Sequence, residues 1–110
     1  METKIEKISG QGFKFLILED DKEVARARLY VLKNDLHPES FGFIEDVYVK
    51  EGHQGKGYGT KIIKLLIEKA KECECYKLIC NSRFSRSGVH NFYEKLGFKR
   101  YGYEFRMDFK

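Results

Sequence analysis

Gln54-Gly55-Lys56-Gly57-Tyr58-Gly59 sets three alternating glycines between an apolar stretch, Phe43 to Val49, and a run of helical periodicity. Glycine lets the backbone turn through positive φ and approach a ligand closely. The helix that follows opens with unpaired amide hydrogens at the positive end of its dipole. Such a place cradles a phosphate or pyrophosphate. Just upstream, two carboxylates, Glu45 and Asp46, stand in the middle of the apolar stretch. On a mostly buried strand a carboxylate can have its pKa raised, whereas an ion pair with Arg26 or Arg28 on the neighbouring strand is the plain structural alternative for each. Cys73, Cys75 and Cys80, with His90 downstream, lack the paired C-x-x-C spacing of a zinc site and read as buried free thiols, so no metal is expected.

Two nucleotide-binding loops compete for the glycines. A Walker loop, G-x-x-x-x-G-K-[ST], is excluded: Lys50 stands at its first glycine, and Gly57 follows Lys56 where a hydroxyl should hold magnesium. A dinucleotide fingerprint, G-x-G-x-x-G, is weakened by Thr60 at its third glycine and by the antiparallel strands expected upstream.

The elements that must position these residues follow from periodicity. Phe13 to Leu18 and Val24 to Leu32 are β-rich runs separated by Glu19-Asp20-Asp21-Lys22-Glu23, a hairpin; Asn34 to Ser40 is a loop holding the only proline. Phe41 to Lys50 is a third strand. Strict alternation puts Ile44, Asp46 and Tyr48 on one side, and Phe43, Glu45, Val47 and Val49 on the other. Ile62, Leu66, Ala70 and Cys73, with Ile63 and Ile67 beside them, form one face of a helix. Tyr76 to Cys80 is a short buried strand, parallel to the third across this helical crossover. Ser87 or Gly88 opens a shorter helix through Lys95, capped by Gly97. Finally Tyr101, Tyr103, Phe105, Met107 and Phe109 alternate with polar residues and predict a last strand.

With 110 residues, 42% of them hydrophobic, the chain fits one domain, 1–110, with a modest core. Net charge of +4 suits an anionic small ligand at least as well as nucleic acid, and the lysines alternate with glutamates instead of forming a stripe, so no specific nucleic-acid partner is expected. No apolar run reaches membrane-spanning length and Met1-Glu2-Thr3-Lys4 does not open a signal peptide; the expected location is the cytoplasm, without a membrane partner.

The loop also fits [Q/R]-x-x-G-x-[G/A], met by Gln54, Gly57 and Gly59 between a strand and a helix. In this the sequence resembles the GNAT superfamily of acetyl-coenzyme A-dependent N-acetyltransferases. Ile44-Glu45-Asp46-Val47-Tyr48-Val49 is similar to the family's fourth strand, and Asn91-Phe92-Tyr93-Glu94-Lys95-Leu96-Gly97-Phe98 to its FYEKLGF segment. The resemblance covers roughly Phe13 to the end. It implies an α/β fold with a mixed sheet, the GNAT-like acyl-coenzyme A N-acyltransferase fold, here shortened at its N-terminus. Only about a dozen residues precede Phe13, enough for one short strand but not for the family's two opening helices.

Carried over residue by residue, the resemblance implies an acetyltransferase, a transferase of the acyltransferase class, using acetyl-coenzyme A as donor and an amine as acceptor. The amides of Gly55, Lys56, Gly57, Tyr58, Gly59 and Thr60, with the Gln54 side chain, would bind the coenzyme pyrophosphate. Backbone at Val47, Tyr48 and Val49 would pair with pantetheine inserted between splayed strands. Tyr93 would be the general acid for the thiolate, Glu45 the candidate base, and Asp46 a contact for a cationic acceptor. Arg83 and Arg86 are candidates for the adenosine 3′-phosphate or an anionic acceptor, against solvated loop arginines; His90 reads as a packing or surface residue with a catalytic base as the alternative, and His53 is expected to face solvent. Either the acceptor site is open or a second subunit completes it, and small size favours a homodimer. A non-catalytic module that senses acyl-coenzyme A is the alternative.

Overall fold

In the computed structural model of the protein, which describes residues 1–82 and 87–110 with Ser87 by its backbone alone, the alternation at 13–32 becomes a hairpin. β1 (Gly10–Glu19) pairs antiparallel with β2 (Lys22–Leu32), Phe13 opposite Leu29 and Glu19 opposite Lys22. That register leaves two turn residues, Asp20 and Asp21, at φ 50° and 62°. A two-residue turn with both φ positive matches the right-handed twist of the strands it joins, and aspartate tolerates the left-handed region better than most residues.

β3 (Phe41–Val49) runs antiparallel to β2, and the short β4 (Leu78–Cys80) runs parallel to β3, giving the order β1-β2-β3-β4. Close approach at the β3–β4 start requires Gly42: a Cβ there would lie 2.8 Å from Leu78 Cδ1 and 3.2 Å from Leu29 Cδ1. The crossover is α1 (Tyr58–Glu72), packed on β1, β2 and β3. Its Ile62, Ile63 and Leu66 are fully buried, as are Ala25, Ala27 and Leu29 of β2. Burying each such large aliphatic side chain contributes about 1.5–3 kcal/mol, so this layer is the main source of stability in the unit Met1–Cys80. α1 ends where Glu74 turns left-handed, φ 57°, and the Cys75 amide donates back to the Ala70 carbonyl at 3.0 Å.

The faces of β3 differ from strict alternation. Ile44 pairs with Leu29 and Val49 with Ala25, both on the helix side, but Glu45 pairs with Arg28 and Tyr48 with Arg26. β3 advances three residues where β2 advances two. The extra residue is a β-bulge, with Asp46 at φ 57°, and it brings Tyr48 to the face of Glu45 instead of that of Ile44.

Asn81–Lys110 form a second unit. Its helix α2 (Ser87–Lys95) closes as expected: Gly97 stands at φ 101°, and the Phe98 amide donates to the Tyr93 carbonyl at 3.1 Å. The expected last strand is absent. Tyr101 to Lys110 have no regular structure, and Tyr101, Phe105 and Phe109 are at least 90% exposed. Alternation supplies a strand with a face, but only a neighbouring strand supplies the ladder, and among the described residues none pairs with this segment. Of the dozen residues before Phe13, only Gly10 to Gly12 are strand, as the start of β1, and residues 1–9 have no regular structure.

Candidate active site

The glycine loop starts where β3 stops. The Lys50 amide donates to the Val24 carbonyl at 2.8 Å, the His53 amide to the Lys50 carbonyl at 3.0 Å, and the chain then turns through Gly52, Gly55 and Gly57 at φ 85°, 81° and 84°. At Gly55 and Gly57 an added Cβ would meet nothing within 4 Å, so what demands glycine is the backbone conformation, and the main chain there faces open space. Gly57 is the N-cap of α1; no side chain caps the helix and no acidic residue lies in its first turn. The Lys61 amide makes the first helical bond, to the Gly57 carbonyl at 3.0 Å, which leaves the amides of Tyr58, Gly59 and Thr60 without an intrahelical acceptor. Lys56 is exposed, and the Gln54 amide group donates to the Val49 carbonyl at 3.3 Å, so this side chain ties the loop to the end of β3.

One cluster beside the loop escaped the sequence reading. The Tyr58 hydroxyl donates to the Glu19 carboxylate, which raises the pKa of the phenol, and His53 Nε2 lies 4.0 Å from the same carboxylate. His53 is therefore half-buried beside the hairpin tip and not turned out to solvent. Its signal was topological: the end of β1 and the end of β3 lie at one end of the sheet.

Among the described residues, β3 also has main-chain groups without a ladder partner along one edge. The β3–β4 ladder consists of Gly42, Phe43 and Ile44 opposite Leu78, Ile79 and Cys80, and then stops. From Glu45 to Val49 the strand pairs with β2 and, among the described residues, with nothing on its other side. An extended chain with alternating donors and acceptors could add there as a strand does.

The two carboxylates have separate surroundings. Glu45 is exposed, contrary to the buried setting expected of it. Asp46 is paired: Arg26 grips it with Nε on Oδ2 at 2.7 Å and Nη2 on Oδ1 at 3.2 Å, and Arg28 Nη1 donates to Oδ2. These guanidinium groups, Arg26 first, hold the Asp46 pKa below the ordinary carboxylate value, and Asp46 in turn raises that of Arg26. Arg26 also reaches Glu23 at 3.3 Å and lies over the Tyr48 ring, 4.4 Å from its centroid. The carboxylate that was expected to meet a cationic acceptor is thus occupied by two internal cations.

In the second unit Tyr93 is buried, with Phe92 and Phe98 edge-on at 5.3 Å and 5.5 Å between ring centroids. His90 is half-buried on α2. Arg83 and Arg86 lie outside the described residues. Burial pushes the Cys80 thiol up to about 11 and raises that of Cys75 as well. Among the described residues no three metal-binding side chains come together, and no helix is long and apolar enough to cross a membrane.

The sequence profile of the Acetyltransferase (GNAT) family matches residues 2–98. The chain belongs to the GNAT acetyltransferase family. Its α/β sheet with a crossover helix is the GNAT fold: the crystal structure of glucosamine-6-phosphate N-acetyltransferase from Arabidopsis thaliana matches with a TM-score of 0.82 at 27% identity, over 90% of this chain and 67% of that one. Among curated relatives, the glucosamine 6-phosphate N-acetyltransferase of Candida albicans is 38% identical over 82 residues, 74% of this chain and 53% of the relative. That of Schizosaccharomyces pombe is 33% identical over 90 residues, 81% of this GNAT chain and 78% of the relative. The chain spans about half the length of the first of these relatives.

Proposed function

We propose that this GNAT chain transfers an acetyl group from acetyl-coenzyme A to a primary amine, by direct attack, and that the acceptor is an amino-sugar phosphate. The observation that carries the donor half is the continuity of two open main-chain surfaces. The edge of β3 past Ile44, unpaired among the described residues, leads through Val47, Tyr48 and Val49 into a loop of left-handed glycines and an uncapped helix N-terminus. The first suits the amide-bearing pantetheine arm, the second the pyrophosphate on the amides from Gly55 to Thr60. The acceptor rests on the names of the relatives, which are glucosamine 6-phosphate N-acetyltransferases from several organisms.

Acetyl transfer then needs a neutral amine, a donor for the oxyanion and a proton for the departing thiolate. A main-chain amide near Val47 supplies the oxyanion contact. Glu45, being exposed, takes the ammonium proton through water, and Tyr93 gives its phenolic proton to sulfur. The working form is a homodimer in the cytoplasm; the bare aromatic side chains of Tyr101, Phe105 and Phe109 in the single copy support the dimer.

Calorimetric titration with acetyl-coenzyme A, followed by thiol release with glucosamine 6-phosphate, other amino sugars, polyamines and peptides, tests this reading. Binding with release only for the phosphorylated amino sugar is the expected result. Absence of binding at millimolar coenzyme overturns it, and binding without release for any amine marks an acyl-coenzyme A sensor instead.

A further inference from the structure

The bulge in β3 lies two residues past the end of the ladder with β4, and β2 stays paired with β3 on both sides of it. Asp46 occupies a left-handed conformation, φ 57°, in the middle of a strand, a region that residues with a side chain rarely adopt without support. Support comes from the two residues of β2 that flank Ala27. Arg26 and Arg28 pair across the sheet with Tyr48 and Glu45, the residues that bracket the bulge. Both guanidinium groups converge on the Asp46 carboxylate, Arg26 through a two-pronged contact at 2.7 Å and 3.2 Å. A fork of that kind fixes direction as well as distance. Arg26 is itself held, by Glu23 at 3.3 Å on one side and by the Tyr48 ring at 4.4 Å on the other. One guanidinium therefore grips the first residue of the bulge and covers the ring that follows it.

The ladder to β4 ends at Ile44, two residues before Asp46. Among the described residues no strand pairs with Val47, Tyr48 and Val49 on their outer side, so the bulge sets the direction in which their outer main-chain groups face.

We propose that Asp46 is a positioning residue: clamped by Arg26 and Arg28, it fixes the β3 bulge and so aims the open edge at the coenzyme's pantetheine arm. The link to the coenzyme rests on the donor half of the proposed function, whereas the clamp itself stands without it. Asp46 acts through the backbone, so its loss changes coenzyme affinity and leaves acceptor affinity alone.

Asp46→Ala removes both the clamp and a side chain suited to positive φ; Asp46→Asn keeps the shape and a carbonyl acceptor for the arginines. Titration with acetyl-coenzyme A below the melting transition is expected to give a Kd raised about tenfold or more for Asp46→Ala and less than about threefold for Asp46→Asn, with the acceptor KM within about twofold of the parent. Amide hydrogen exchange of the free protein is expected to quicken at Val47 to Val49 in Asp46→Ala. Should that variant not fold, Arg26→Lys, which keeps the charge and loses the fork, carries the same expectation. Unchanged exchange at these amides overturns the clamp. Quickened exchange with an unchanged Kd, or a raised acceptor KM at unchanged Kd, overturns its part in coenzyme binding. If the unaltered protein binds no acetyl-coenzyme A, the proposed function fails, and the exchange measurement alone decides whether the carboxylate pins the bulge.

Discussion

At the scale of single residues, the protein separates carboxylates that the sequence sets side by side. Glu45 is exposed and Asp46 is locked to two arginines, because one extra residue in β3 turns their neighbours to a common face. No sequence pattern announced that residue: Asp46 is not a glycine, and the apolar alternation around it read as a regular strand. The ion pair itself was legible as an alternative, since Arg26 and Arg28 alternate on the adjacent strand. Its pH dependence follows from the lowered Asp46 pKa. A carboxyl whose pKa is lower folded than unfolded adds stability above its unfolded value, and that stability is lost as pH falls through the folded one. Thermal melts of the parent and Asp46→Asn are therefore expected to differ at neutral pH and to converge only below the ordinary carboxylate range, about pH 4. Tyr93 is read from its place in the FYEKLGF segment and is buried between two rings. Tyr93→Phe is expected to cut turnover about 10²-fold in the thiol-release assay while leaving the coenzyme Kd near its parent value. Unaltered turnover would remove Tyr93 from the chemistry.

At the scale of elements, hairpin, crossover helix and parallel strand are where the periodicities put them, because each has one apolar face to bury and a partner that the chain order brings beside it. The glycine loop was legible in part for the same local reason: Gly55 and Gly57 stand at φ 81° and 84°, whereas Gly59, the third of the alternating glycines, lies in the first turn of α1, and Gly52 supplies the remaining left-handed turn. Gly57 tests it. With open space around its Cβ position, Gly57→Ala creates no clash, yet it forces alanine to φ 84° at the N-cap of α1. A loss of about 1–2 kcal/mol in denaturant melts is expected, together with weaker acetyl-coenzyme A binding as the first-turn amides shift. An unchanged melt would mean that the loop relaxes freely. The strand expected at 101–109 failed where the loop succeeded, since its ladder depends on a partner that alternation cannot name.

At the scale of the whole chain, the aromatic residues of that last segment stand bare beyond α2. Extended, exposed backbone is the preferred substrate of proteases. Chymotrypsin at low concentration is expected to cut first at Tyr101, Tyr103 or Phe105, and mass spectrometry to find the fragment ending there well before any cut in Met1–Cys80. Protection of these sites at high protein concentration, with a scattering mass of twice 13.0 kDa, is the outcome a homodimer requires. The half-finished sheet also bears on survival in the cell. Among the described residues no strand lies beside the outer edge of β3 from Glu45 to Val49, so an acyl-coenzyme arm lying there would serve as a removable piece of architecture. Ligand at a hundred times its Kd adds about 2.7 kcal/mol to any fold that binds it. The amount of this protein that escapes degradation would then track the acetyl-coenzyme supply, making abundance itself a gauge of the metabolite.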